Sequence, residues 1–235
     1  MSIRREIAET LRPRRGDKDG LLPPLFLALT FVTGVVDATS YLRLGHVFVA
    51  NMTGNVVFLG FGIAGATGIS VLASLTALAS FLVGSAIGGR IAVASGDERH
   101  RHLRLALGVQ TALVATAAVV VAFAGRHVAA DARYPLIALL SVAMGVQNAA
   151  ARKLAVADLT TTVLTMTLVG VAADSTLAGG NGARLGRRGL SVAAMLLGAL
   201  AGGLLALRVD NVAPLGLVTA VLVVVVLLAT LDPST

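Results

Sequence analysis

From Leu22 to Leu231 the chain is a succession of long apolar runs with only short polar stretches between them. A helix crosses the hydrocarbon layer of a bilayer with about 20 apolar residues, each rising about 1.5 Å. Apolar segments that approach or exceed this length occupy residues 22–41, 47–67, 71–94, 103–124, 134–151, 158–174, 188–206 and 212–231. Eight buried strands do not fit runs this long and this rich in Ala, Gly and Leu. An open sheet in lipid would also leave its edge N–H and C=O groups unsatisfied. The expected fold class is therefore all-α: a polytopic bundle of membrane helices. A polar basic tail at 1–20 precedes a single membrane domain at 21–231.

Composition narrows the function classes. Only 13% of the 235 residues are charged and the mean hydropathy is +0.87, too little charge to cover the surface of a soluble domain of this size. The formal net charge of +7 comes from basic residues grouped between apolar runs, with no nucleic-acid-binding motif beside them. The bilayer, not nucleic acid, is the expected partner. The absence of cysteine removes disulfides, thiolate metal sites and cysteine nucleophiles. His46, His100, His102 and His127 fall at or near loops with no ligand-like pairing, so neither a metal nor a cofactor is expected. No serine–histidine pair, paired aspartates, HExxH or Walker A motif occurs in the apolar segments, and an enzyme is not expected. The tail MSIRREIAETLRPRRGDKDG lacks a signal-peptide pattern. It reads as a solvated cytoplasmic tail, with a surface-lying amphipathic helix over Ile3 to Leu11 as the alternative.

The chain resembles itself. Gly34-Val35-Val36-Asp37-Ala38 matches Gly145-Val146-Gln147-Asn148-Ala149, Thr53-Gly54-Asn55 matches Thr165-Met166-Thr167, and Leu82–Gly89 matches Leu196–Gly203. Three matches in order at a nearly constant separation point to a duplication, with repeat one at about 21–125 and repeat two at about 134–231.

Charge then bears on topology. If all eight segments cross, Lys and Arg divide poorly between the two sides. If the second and sixth are broken or re-entrant, all of the 19 Lys and Arg except Arg43, Arg126, Arg133 and Arg208 share the side of the N-terminal tail. That plan has six transmembrane helices, three in each repeat, and an odd number per repeat inverts one against the other. The polar content agrees: Asn51, Thr53, Gly54 and Asn55 interrupt the second segment, and Thr160, Thr161, Thr162, Thr165 and Thr167 fill the sixth.

Polar groups at membrane depth are the candidate site. Asp37 is the acidic residue well inside an apolar segment, where a charge costs about 2.5–3.5 kcal/mol on insertion scales. It reads as a proton, cation or ligand site, or as a carboxyl bonding a neighbouring helix. Asn51, Thr53, Gly54 and Asn55, with Gln147, Asn148, Thr165 and Thr167 of the second repeat, are the candidate substrate or ion ligands; interhelical hydrogen bonding is the competing use. Gln110 reads as interhelical glue. Gly84, Gly88, Gly198 and Gly202 fit the small-xxx-small pattern and are expected to pack the two repeats together, with a homo-oligomer contact as the alternative. Arg90 is expected to snorkel to the interface.

The stretch Gly34-Val-Val-Asp37-Ala-Thr-Ser-Tyr41 followed by Val47-Phe48-Val49-Ala50-Asn51-Met52-Thr53-Gly54-Asn55 resembles the YoaK-like family of bacterial membrane proteins, which carry a domain of unknown function over nearly their whole length. Gly145 to Ala149, with Asp158 and Thr162 to Thr167 downstream, looks like that family's second signature, although Met166 stands where a glycine is expected. The resemblance spans about residues 20–230. It implies a multi-pass protein of the bacterial inner membrane with about six helices. The residues themselves support a small-solute transporter or permease, proton-coupled through Asp37, with a non-transporting scaffold or assembly subunit as the alternative.

Overall fold

A computed structural model describes residues 3–12, 19–124, 130–156, 159, 161, 164–180 and 184–231. Arg14, Arg15, Lys18, Arg126, His127, Asp158, Thr160 and Thr162 lie outside the described residues. Among the described residues every regular element is helical: α1 (Ile3–Leu11), α2 (Leu22–Arg43), α3 (Met52–Ile63), α4 (Val71–Ser95), α5 (Arg99–Ala124), α6 (Ala130–Leu154), α7 (Leu164–Ala173), α8 (Leu185–Arg208) and α9 (Ala213–Leu231), with a 3-10 turn at Thr176–Ala178.

Helices α2, α4, α5, α6, α8 and α9 are long and apolar enough to cross a bilayer. The second and sixth apolar segments shorten to helices of 12 and 10 residues, α3 and α7. At about 1.5 Å per residue neither spans a hydrocarbon core of about 30 Å. The molecule is thus a polytopic bundle of membrane helices. Its outer faces are apolar: Leu82 and Val83 of α4 and Leu196 and Leu197 of α8 are all more than half exposed, a surface that suits lipid.

Helix starts and stops have local causes. Pro23 and Pro24 sit in the first turn of α2, where a missing N–H costs nothing. Ser70 caps α4 by accepting from Ala73 N at 3.1 Å, and Asp210 Oδ1 accepts from Val212 N and Ala213 N before α9. Helix α2 ends at Gly45, whose φ of +94° is the left-handed conformation that glycine adopts freely. Helix α6 ends in the same way at Ala155, φ +48°, without a glycine to ease it.

Helix α2 packs chiefly on α8, and α4 chiefly on α6. Both seams are made by glycines that bring backbones together. A Cβ on Gly198 would overlap Phe31 O, and one on Gly202 would stand 2.7 Å from Val35 O. On the other seam, a Cβ on Gly84 would overlap Val142 O, and one on Gly88 would meet Val146 and Ala149. The partner helices return the contact, Gly34 against Met195 O and Gly145 against Phe81 O. These close approaches join the first part of the chain to the second. Arg90 is exposed near the end of α4.

Nine residues of the tail form α1. Glu6 is buried, and its Oε2 accepts from Gly186 N at 3.1 Å, placing a carboxylate at the first turn of α8. The solvated-tail expectation thus gives way to a docked helix over Ile3–Leu11.

Replacing Gly84 by Val should destabilise the protein by about 1–3 kcal/mol or more, because the clash is with backbone and no rotamer relieves it. Gly89→Val, where a Cβ meets nothing within 4 Å, should leave the melting temperature in detergent unchanged.

Candidate functional site

Between the end of α2 and the start of α3 the chain runs without helix from Val47 to Asn51. Its N–H and C=O groups have no ladder of their own, and lipid offers none. Two side chains supply what is missing. Asp37, two turns before the end of α2, accepts at Oδ1 from Val49 N (2.9 Å) and Ala50 N (2.8 Å). Asn55, in the first turn of α3, takes both sides of Phe48: its Oδ1 accepts from Phe48 N at 2.9 Å and its Nδ2 donates to Phe48 O at 2.6 Å. The non-helical segment is therefore clamped between a carboxylate on one helix and an amide on the next.

A cavity of about 880 Å³ opens beside this clamp. That volume lies in the range of about 300–1,000 Å³ typical of small-molecule sites. Asp37, Asn51, Thr53, Gly54 and Thr165 all line it, so α2, the start of α3 and the start of α7 converge there. Phe81 of α4 and Met195 and Ala199 of α8 complete the wall. Asp37 is 8% exposed, whereas Asn51 and Thr53 stand open.

The other candidate ligands lie elsewhere. Asn55 is fully buried, its amide occupied by Phe48. Gln147 accepts from Gln110 Nε2 at 2.6 Å and donates to Thr33 Oγ1 at 2.9 Å, tying α5, α6 and α2 together in the packed interior. Asn148 donates to Met144 O of its own helix at 2.8 Å. Thr167 is buried on α7 and does not line the cavity. Gly54 serves close approach: a Cβ there would come within 2.7 Å of the Phe48 ring.

Rings are the part of the site that reasoning from hydrophilic residues passed over. Tyr41 stacks on Phe48 with centroids 5.2 Å apart, Phe48 stacks on Phe58 at 5.6 Å, and Tyr41 meets Phe58 at 6.0 Å. All three line the cavity. The signal was available, since aromatic residues make up 4% of the chain yet Tyr41, Phe48, Phe58 and Phe61 fall within 21 positions of one another.

Asp37→Ala should free the amides of Val49 and Ala50 and accelerate their hydrogen exchange in detergent. Hydrogen bonds to a charged group are worth about 1.5–3 kcal/mol. Asp37→Asn keeps an Oδ1 acceptor and should disturb these amides far less. Asn55→Ala should expose the Phe48 amide in the same measurement.

The comparisons with known proteins agree with a membrane bundle. The chain is 39% identical over 150 residues to the UPF0700 transmembrane protein YoaK of Bacillus subtilis (strain 168), a match covering 64% of this chain and 65% of that one. No solved structure matches the chain. The family described as Protein of unknown function (DUF1275) matches residues 25–228, nearly the whole membrane domain, and the chain belongs to that family.

Proposed function

We propose that this protein is a permease for a small solute in the bacterial inner membrane, with the cavity beside Asp37 as its substrate site. The observation that carries the proposal is the convergence of two short helix starts and one carboxylate on a cavity of about 880 Å³. Transporters of known design hold their substrates at broken helices between repeats, where irregular backbone borders a cavity. In this reading the chain is two inverted repeats, about 21–125 and 134–231. The pairing of α2 with α8 and of α4 with α6 supports it, because exchanging the repeats turns one seam into the other.

Asp37 is the group through which transport would couple to protons. It is the one acidic side chain among the described lining residues, and coupling follows where protonation of such a carboxyl is linked to substrate binding as access alternates. With the N-terminus cytoplasmic, Arg90, Arg99, Arg101, Arg104, Arg152, Lys153, Arg184, Arg187 and Arg188 also fall on the cytoplasmic side. A second reading, a non-transporting scaffold, draws on a different observation: Asp37, Asn55 and Gln147 are all engaged by hydrogen bonds within the protein.

Two measurements separate these readings. In sealed proteoliposomes, uptake from a solute panel should be protein-dependent, accompanied by a signal from a proton-sensitive dye, and reduced at least about tenfold by Asp37→Asn, the loss of one interaction to a charge. Normal folding with no protein-dependent flux would favour the scaffold. The native chain has no cysteine, so Asp97→Cys, on the exposed turn between α4 and α5, reports topology cleanly. Labelling from the cytoplasmic face is expected, and labelling from outside would reverse the orientation.

A further inference from the structure

The charge and shape of the cavity carry the argument further, resting on the permease reading for its physiological meaning. Among the described residues that line it there is one carboxylate, Asp37, and no Arg, Lys or His. An anionic solute entering this cavity would meet an acid and find no basic side chain to compensate it. A neutral polar solute would leave the carboxylate with its backbone N–H donors but no counter-charge in a largely apolar surround. A cation satisfies it.

The rest of the wall says what kind of cation. Beside Asp37 stand Tyr41, one helical turn further along the same face of α2, and the rings of Phe48 and Phe58 stacked with it. A bare metal ion needs several oxygen ligands. Here most of the surface is aromatic or aliphatic, and Asp37 Oδ1 already accepts two backbone N–H groups. Aromatic rings attract ammonium groups through their faces and bury apolar bodies against them. The geometry points to a small organic ammonium ion, its charged head at Asp37 and its apolar body against Tyr41, Phe48 and Phe58. Thr165, from α7, adds a hydroxyl-bearing side chain to the cavity lining.

The test compares three solutes of one shape and different charge on the purified full-length protein in nanodiscs: phenethylammonium, phenethyl alcohol and 3-phenylpropionate. Phenethylammonium should raise the melting temperature at millimolar concentration while the other two do not. Asp37→Asn retains the acceptor for Val49 and Ala50, so the fold survives, and it should weaken phenethylammonium binding by roughly 10- to 100-fold, as expected for a lost charged contact. Phe58→Leu should weaken it several-fold in protein that remains folded, since the substitution removes the ring but keeps an apolar side chain. Equal binding of the alcohol or the carboxylate, undiminished binding to folded Asp37→Asn, or no stabilisation by phenethylammonium would each overturn the proposal. Uptake assays keep the two readings apart. Specific ammonium binding without flux defeats the permease alone, whereas flux of a neutral or anionic solute with no ammonium binding defeats the cation class alone.

Discussion

Lipid satisfies no backbone polar group, and the break between α2 and α3 exists only because the protein satisfies its own. Five residues, Val47 to Asn51, run without helical hydrogen bonds beside the membrane domain's interior. Asp37 and Asn55 answer three of the resulting N–H groups and one carbonyl. Without those bonds the segment would have to coil into a longer helix or retreat to water. The clamp therefore determines where α3 starts and, through α3, where the cavity opens. A carboxylate whose solvation cost would be heavy alone becomes tolerable because its partners are backbone amides.

The same constraint explains the glycine seams. Within lipid there is no hydrophobic gain from bringing two apolar helices together, so close packing must supply the attraction. Gly34, Gly198 and Gly202 on one seam, and Gly145, Gly84 and Gly88 on the other, let carbonyls and α-carbons of facing helices touch. The molecule is thus held along two narrow backbone-to-backbone lines, around which large side chains such as Phe26, Leu140 and Met144 pack a buried core while others, such as Leu82 and Leu196, face outward. The cavity lies along one of these lines, since Gly34 and Ala199 belong to both the seam and the cavity wall.

Much of this was legible in the chain. Apolar run length gave the spans, and the polar interruptions at Asn51–Asn55 and around Thr165 marked the two segments that fall short of crossing. Asp37 stood out because a lone acid in an apolar run demands a partner. Its partner was not legible: backbone amides carry no sequence signature, so Val49 and Ala50 could be found only in three dimensions. Gln147 and Asn148 looked equivalent to cavity residues by alignment, yet rotation about α6 directs one into a network with Gln110 and Thr33 and the other to its own helix. The Tyr41–Phe48–Phe58 cluster is legible only as a local concentration of rings in a ring-poor chain, since each ring by itself is one more apolar residue in an apolar run.

Helix α2 is the most enclosed of the long helices, with 72% of its most apolar window buried inside the protein against 56% or less in the other five. Of those six it is also the earliest to leave the ribosome. Its principal neighbour, α8, is translated only after some 140 intervening residues, and α9, which also touches it, later still. During biogenesis, then, the helix that carries Asp37 must wait in the insertion machinery or in bilayer with its small-residue face unpaired, and the molecule acquires its centre last.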